Sequence, residues 1–224
     1  MKTIKSKISS FFRPYRNKKR QKFYLKKYGS PDIDFNILSN NCIGGMCYHD
    51  AAKPFLSPTI NLSIDNFLVF VSNLNDYLSC QIEQVKDSGK DYPVGLLIPK
   101  NSSLPPIKIH FVHYETFDIA KNKWIERSQR MFSNKGNVCI IYCVPSGEII
   151  DENKINLFNK IKAYRKLCFY REANVTLPQN SKDTYFVKIP EKYQSIDYSK
   201  YVGLFSRKRY YDYFFDIYKF IFTE

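Results

Sequence analysis

The sequence predicts an α/β protein in which a mainly parallel sheet is flanked by layers of helices. Short apolar runs of strand length alternate with amphipathic segments of helical length, and this alternation is typical of parallel sheets. The succession of strand, loop, helix and strand occurs in residues 35–114 and, more weakly, in residues 138–189. With 44% hydrophobic and 17% aromatic residues among 224, the chain is too apolar for a disordered protein.

The individual elements follow from apolar runs and from turn signals. After a turn at residues 29–32, apolar runs predict strands at residues 35–39, 92–98, 107–114, 138–144, 167–170 and 185–189. Helical spacing of apolar residues predicts helices at residues 64–79, 116–132 and 151–164, with Ser63 as the N-cap of the first. The aromatic segment 207–222 is either helical or extended.

The positive charge of the chain is concentrated at its N-terminus. The whole chain carries 35 Lys and Arg against 21 Asp and Glu, a net charge of +14 that is typical of proteins binding nucleic acid or anionic membranes. Residues 1–28 hold eleven basic residues and no acidic one, so the other 196 residues have a net charge of only +3. We therefore expect a basic leader at residues 1–28 and an α/β domain at residues 29–224, whose halves would be about 33–114 and 115–224.

Two interpretations of the leader stay open at this point. It is either a solvated, partly helical surface segment or a segment that binds anionic lipid, where each basic residue contributes roughly 1 kcal/mol. Seven apolar residues within it are suited to anchor it at a membrane: Phe11, Phe12, Tyr15, Phe23, Tyr24, Leu25 and Tyr28. The rest of the chain has no matching basic motif, so we do not expect nucleic acid as a partner.

The location is predicted from what the sequence does not contain. No stretch approaches the roughly 18 apolar residues of a membrane-spanning helix, and the leader lacks the apolar core and cleavage site of a secretory signal. The six cysteines, with C-x4-C and C-x3-C spacings, do not match the paired C-x2-C of a zinc site, and we expect no metal. These observations predict a cytoplasmic protein, which the leader can hold at the inner face of the membrane.

The segment after the first strand is the richest in chemically useful side chains. It reads SNNCIGGMCYHD, and candidate ligand-binding residues within it are Ser39, Asn40, Asn41, Cys42 and Gly44. Ligands of open α/β sheets bind beyond the carboxyl ends of the strands, which is where this segment lies. It is neither a Rossmann fingerprint nor a Walker A loop. The alternative is a hydrogen-bonded turn in which the asparagines act as caps.

Two further segments carry groups suited to proton transfer and to phosphate binding. His110 and His113 lie within the predicted strand at residues 107–114, where they would point to opposite faces, and histidine is the side chain best suited to proton transfer near neutral pH. Trp124, Arg127 and Arg130 recur three residues apart and share one helical face, where arginine forks suit phosphates. The alternatives are a buried histidine bonded to the backbone and a solvated helix with a half-buried tryptophan.

Together these segments resemble a known family. Five ordered motifs carry the resemblance: Ile37 to Gly45, Ser57-Pro58-Thr59, Tyr92 to Gly95, His110 to Tyr114, and Lys123 to Arg130. They are similar to those of the DUF1919 family, bacterial proteins often labelled exopolysaccharide or capsule biosynthesis proteins and sometimes putative acyltransferases. The resemblance covers about residues 33–190, and the leader and the aromatic tail are expected to lie outside it. It implies a cytoplasmic α/β protein and adds Ser57, Thr59 and Tyr114 to the candidate substrate-binding residues.

The favoured hypothesis is a transferase that modifies a surface-polysaccharide precursor by O-acyl transfer. The acceptor would be a sugar or a lipid-linked saccharide, with acetyl-CoA as a candidate donor. His113 or His110 would be the general base, Asn40 and Asn41 would position substrate or stabilise an oxyanion, and Arg127 and Arg130 would hold donor phosphates. Cys42 is either a nucleophile or a structural thiol.

Two other functions remain as alternatives. A metal-dependent glycosyltransferase would carry an Asp-x-Asp motif, and Asp32-Ile33-Asp34 has this spacing. The motif precedes the first strand instead of following one, which argues against that role. The other alternative is a non-enzymatic assembly or regulatory protein in which the polar loops are structural.

Overall fold

A computed structural model describes residues 11–31, 34–86, 89–101, 103–134 and 136–223. It confirms the α/β class, with a four-stranded parallel sheet flanked by helices, and it adds a four-stranded antiparallel sheet. The chain forms two compact units. The first combines Met1–Asp32, Met46–Pro54 and Ile189–Glu224, and the second combines Ile33–Gly45 and Phe55–Lys188. The predicted boundary after residue 28 and the two predicted halves stay predictions.

The helices and strands within the described residues alternate along much of the chain. In chain order they are α1 (Arg13–Tyr28), β1 (Phe35–Ser39), α2 (Ile43–Asp50), β2 (Ser63–Ile64), α3 (Phe67–Ser72), α4 (Leu74–Leu78), β3 (Ile82–Gln84), β4 (Val94–Leu97), β5 (Ile107–His110), α5 (Phe117–Ser133), β6 (Asn137–Cys143), α6 (Glu152–Lys160), β7 (Arg165–Tyr170), β8 (Thr184–Lys188), α7 (Glu191–Gln194) and α8 (Ile217–Phe222). A 3-10 turn, Tyr210–Tyr213, precedes α8.

The parallel sheet of the second unit has the strand order β1-β6-β7-β8. Every residue of β1 is buried, as is usual for a strand covered on both faces. The flanking helices begin at capped residues: Thr116 accepts a hydrogen bond from the Ile119 amide, and Asp151 accepts one from the Lys154 amide. Trp124 of α5 packs in the main core, where it is 2% exposed. Strand β1 pairs with β6 up to Ser39 opposite Ile141, which places the carboxyl ends of the two strands side by side.

The antiparallel sheet of the same unit has the order β2-β5-β4-β3. Two of its strands, β4 and β5, were expected, but as members of the parallel sheet. They are joined by residues 98–106, and a parallel crossover needs roughly a dozen residues or more. The short connection therefore forces an antiparallel pair.

Two predicted elements are wrong in part. The helix expected at residues 64–79 starts later, because Ser63 and Ile64 belong to β2 and Ser63 is not a cap. The remainder is divided into α3 and α4 at Asn73, whose side chain donates to the carbonyl oxygen of Val69 at 3.0 Å. A side chain that competes for a helical carbonyl in this way favours a break. Strand β5 also ends at His110, so His113 lies in a turn and not in a strand.

In the first unit, one face of α1 is buried. Arg16, Arg20 and Tyr24, each four residues apart, are its buried positions. Tyr24 stacks on Tyr218 of α8 with ring centroids 4.5 Å apart. Most of the basic leader is therefore a helix that contributes to a folded core, and Tyr24 is not exposed as a membrane anchor.

Arg20 is the centre of that core. Its Nε donates to Asp50 at 2.6 Å, and its two terminal nitrogens both contact the Asp212 carboxylate. Burial alone would lower the pKa of Arg20, but the nearby acidic groups of Tyr211, Asp50 and Asp212 outweigh it and raise the pKa above its ordinary value. Arg20 therefore stays charged while it is buried.

Within the described part of the chain, no helix has the length and apolar character needed to cross a membrane.

Candidate functional site

Polar side chains at the carboxyl end of β1 hold the first βα connection in place. The Ser39 hydroxyl donates to the Asn41 carbonyl oxygen at 2.6 Å and accepts from the Gly44 amide at 3.0 Å. The Thr59 hydroxyl accepts from the Ser39 amide at 3.0 Å, and Ser57 donates to a carbonyl oxygen of β1 at 2.5 Å. A Cβ at Gly44 would lie 2.7 Å from the Ser39 Oγ, so a larger residue there would displace this hydroxyl from its hydrogen bonds. Ser39, Asn41, Gly44, Ser57 and Thr59 therefore hold the connection between β1 and α2 in place.

Asn40 joins the ends of β1 and β6. Its Nδ2 donates to the Cys143 carbonyl oxygen at 2.8 Å, and its Oδ1 accepts from the Cys143 amide at 2.9 Å. The side chain thus continues the parallel ladder by one step beyond the last residue of β1. The amide has two N–H donors and this pairing uses one of them.

A cleft of about 500 Å³ lies at these strand ends. Its polar lining residues are Asn40, Asp65, Asn66, Glu148 and Lys154, and its apolar ones are Ile64, Phe67, Leu68, Val69, Tyr142, Pro145 and Leu157. The carboxyl end of an open α/β sheet is the usual place for a ligand. An apolar lining with a few convergent polar groups is also typical of a small-molecule site.

Asp65 stands at the rim of the cleft and is held by a histidine. Its Oδ1 is 3.1 Å from the Nε2 of His110, and its side chain is 53% exposed. An ionised carboxylate only accepts hydrogen bonds, so Nε2 is the donor. The second ring nitrogen, Nδ1, is buried and has no hydrogen-bond partner within the described residues. His110 therefore faces the cleft only through Asp65.

The opposite side of the cleft carries both signs of charge. The ammonium group of Lys154 lies 3.5 Å from Glu148 and 3.4 Å from Asp151, and it donates to the Ile149 carbonyl oxygen at 3.1 Å. The backbone hydrogen bond from the Lys154 amide holds the pKa of Asp151 below its ordinary value. These contacts with residues 148–151, just before α6, hold the ammonium group of Lys154 at the cleft.

A second cluster contains Tyr114 and Arg127. The guanidinium of Arg127 donates to the Tyr114 hydroxyl at 2.6 Å and to the Ile60 carbonyl oxygen at 3.3 Å. Burial raises the pKa of Tyr114, and Arg127 opposes that rise. Two of the predicted residues, Tyr114 and Arg127, are therefore in direct contact.

The other predicted residues lie apart from the cleft lining. His113 is exposed in the turn after β5. Arg130 is exposed, forms an ion pair with Glu126 and donates to the Phe55 carbonyl oxygen at 3.1 Å. Among the residues chosen from the sequence, Asn40 lines the cleft and His110 contacts it through Asp65. The roles predicted for Cys42, His110 and His113 stay predictions.

Sequence reasoning missed Asp65, Asn66, Glu148 and Lys154. A signal for Glu148 is present, because the turn Pro145 to Glu148 comes shortly after the carboxyl end of β6, as Asn40 comes after that of β1. Asn66 has a positive φ of 48°, a conformation that asparagine tolerates better than most residues, at the start of α3. No cluster of three or more His, Cys, Asp or Glu suited to a metal occurs in the described residues.

Comparison with known proteins identifies the family. A family sequence model described as "Domain of unknown function (DUF1919)" matches residues 10–221. The chain belongs to the DUF1919 family. This confirms the resemblance drawn from the five motifs. It also corrects its extent, because the match includes most of the basic leader and nearly all of the aromatic tail. The DUF1919 protein is similar to an "Uncharacterized protein" of Haemophilus influenzae, with 30% identity over 202 residues, 88% of this chain and 90% of the relative.

Proposed function

We propose that this DUF1919 protein is a transferase that modifies a sugar precursor of a surface polysaccharide by O-acyl transfer, with the precursor bound in the cleft. The observation that carries this proposal is the position of Asp65, a carboxylate fixed by His110 at the rim of a cleft beyond the ends of β1 and β6. That is the place where α/β folds bind their substrates.

The lining of the cleft suits a carbohydrate. Sugar hydroxyls are both donors and acceptors, and the carboxylates of Asp65 and Glu148 accept while the amides of Asn40 and Asn66 do both. Lys154 offers a positive charge for a phosphate of a lipid-linked saccharide or of the donor. Leu157, which is 37% exposed, provides apolar surface for the face of a sugar ring.

Asp65 would act as the general base. The acceptor hydroxyl oxygen attacks the carbonyl carbon of the donor thioester while its proton moves to the Asp65 carboxylate. The carbon–sulfur bond then breaks, and the leaving thiolate takes up a proton, which restores the ionised Asp65. His110 is a positioning residue in this scheme, because its Nε2–H holds the carboxylate and its Nδ1 is buried. Acetyl-CoA is the proposed donor.

Glycosyl transfer through an Asp-x-Asp metal site is the weaker alternative. Asp32 and Ile33 lie outside the described residues. Asp34 directly precedes β1, which places it at the amino end of the strand, whereas the cleft lies at the carboxyl end.

We further propose that the protein works in the cytoplasm at the inner membrane face, where lipid-linked precursors are assembled.

A transfer assay tests the reaction class. The full-length protein is incubated with radiolabelled acetyl-CoA or with radiolabelled UDP-glucose, each with methyl glycosides and with prenyl-diphosphate-linked N-acetylglucosamine. We expect label to move from acetyl-CoA to an acceptor, above the hydrolysis seen without acceptor. Transfer from UDP-glucose instead would establish the glycosyltransferase alternative. No transfer from either donor to any acceptor would contradict a transferase of these classes and favour a non-enzymatic role.

A further inference from the structure

Helix α1 of the first unit has an exposed face opposite its buried one. The buried positions Arg16 and Arg20 are four residues apart, and so are the exposed lysines Lys18 and Lys22. Lys26 continues the exposed row by a further turn. The helix contains no acidic residue, so nothing within it neutralises this row. The row is therefore a concentrated positive surface on a helix whose other side is anchored in the core.

Exposed aromatic rings lie near the N-terminal end of α1. Phe11 is 79% exposed, Tyr15 is 53% exposed and Phe205 is 58% exposed. Phe12 contacts both Phe11 and Phe205, with ring centroids 5.3 and 5.1 Å apart. The ring of Phe205 thus joins the N-terminal aromatic residues although it is nearly two hundred residues away in the chain. Large apolar side chains grouped on a surface mark an interaction site more often than scattered ones do.

We propose that this aromatic–lysine face docks the protein on an anionic membrane. The face is defined by six residues: Phe11, Tyr15, Lys18, Lys22, Lys26 and Phe205. Lysines near an anionic leaflet contribute about 1 kcal/mol each, and aromatic rings bury at the boundary between headgroups and acyl chains. The buried side of α1 holds the helix in the folded core. Its exposed side offers an anionic bilayer both positive charge and apolar rings. The inference does not depend on the transferase reaction.

The buried contacts of α1 dictate how the docking is tested. Deletion of residues 1–28 would remove Arg20, which binds Asp50 and Asp212 in the core of the unit. Loss of lipid binding after such a deletion would therefore reflect unfolding as easily as loss of the face. Substitutions confined to exposed side chains avoid this problem.

Two sets of variants separate charge from apolarity. The first neutralises the lysine row with Lys18→Gln, Lys22→Gln and Lys26→Gln. Its control makes the same change of charge on exposed lysines of the other unit, with Lys86→Gln, Lys90→Gln and Lys100→Gln. The second removes the rings with Phe11→Ala, Tyr15→Ala and Phe205→Ala. Its control truncates exposed apolar residues of α5, with Ile119→Ala, Ile125→Ala and Phe132→Ala.

The measurement is sedimentation of the full chain with vesicles of phosphatidylcholine, with or without a quarter of phosphatidylglycerol. We expect binding to the anionic vesicles that is at least about tenfold stronger than to neutral ones and that weakens as NaCl rises from about 0.1 to 0.5 M. Each variant on the face should reduce binding about tenfold or more, while its control stays within about twofold and circular dichroism is unchanged for all.

Three results would overturn the proposal. The first is absence of wild-type binding to anionic vesicles. The second is a loss in the controls as large as in the variants of the face, since this would show that the effect of the substitutions is not specific to the face. The third comes from a parallel titration with a fluorescent DNA duplex at the same salt: duplex binding without vesicle binding would assign the basic face to nucleic acid.

Discussion

His110 donates a hydrogen bond from Nε2 to the Oδ1 of Asp65, over 3.1 Å. The bond joins the end of β5 to the segment between β2 and α3, and it fixes a carboxylate at the rim of the cleft. A carboxylate held in one orientation is suited to accept a proton from a bound hydroxyl. The proposed transfer reaction depends on this pair more than on any other contact.

Replacement of Asp65 by asparagine should greatly slow transfer while the fold is kept. The amide has nearly the shape of the carboxylate but cannot accept a proton, and general-base catalysis contributes about 100-fold or more. We expect acetyl transfer to fall by about that factor and the melting temperature to change little, because the side chain is half-exposed. Asp76→Asn on α4, also exposed, is the control and should retain full activity. Wild-type turnover in Asp65→Asn would remove Asp65 from the mechanism.

Asn40 should contribute stability through its pairing with the Cys143 backbone. In Asn40→Asp the side chain can still accept from the amide but can no longer donate to the carbonyl oxygen. Loss of one partner in a partly buried pair costs about 1–3 kcal/mol. Urea unfolding would measure the change in the free energy of unfolding relative to the wild type. The control is Asn122→Asp on the exposed face of α5. Equal stability of the two variants would show that the pairing contributes nothing.

Loss of Arg20 should unfold the first unit. Arg20→Met would leave Asp50 and Asp212 without the cation that neutralises both, and breaking a buried ion pair typically costs about 3–5 kcal/mol. Arg13→Met makes the same chemical change at an exposed position of α1 and should be nearly neutral. Limited proteolysis would follow the effect, with cleavage expected within residues 189–224 for Arg20→Met. If both variants resist the protease like the wild type, Arg20 does not hold the unit together.

Thiol reactivity should divide the six cysteines into two groups. Cys42 and Cys80 are partly exposed, while the other four are buried. Burial raises the pKa of the Cys139 thiol to about 12, so only about one molecule in 10,000 carries the reactive thiolate there at pH 8. We expect two thiols to react quickly with a disulfide reagent in the native protein and all six in guanidinium.

A substitution assigns the reactive thiols individually. Cys42→Ser should lower the number of fast-reacting thiols by one. The reaction rate of Cys139 should rise only slowly with pH until the protein unfolds. Fast labelling of Cys139 or Cys168 in the native protein would contradict their burial.

Local patterns in the sequence were sufficient for the elements around the site. Thr116 and the spacing of apolar residues after it predict a helix at 116–132, and α5 covers Phe117–Ser133. The apolar run at 138–144 corresponds to β6. Both depend on contacts within one element, so their signals are contained in a short stretch of sequence.

Features that depend on distant partners were harder to predict. Arg20 looked like one of eleven solvated cations, because its partners Asp50 and Asp212 are 30 and 192 residues away. The local sequence predicts a helix at Asp65, and only the pairing of β2 with β5 brings this residue to His110. Glu148 could have been found by applying to β6 the same rule on strand ends that selected Asn40 after β1.

The most direct test of the central claim is hydrogen–deuterium exchange with and without prenyl-diphosphate-linked N-acetylglucosamine. We expect slower exchange in peptides covering residues 64–69 and 142–157, which line the cleft. Protection confined to residues 113–130, with the cleft peptides unchanged, would place the sugar at the Tyr114–Arg127 cluster and contradict the assignment of the cleft.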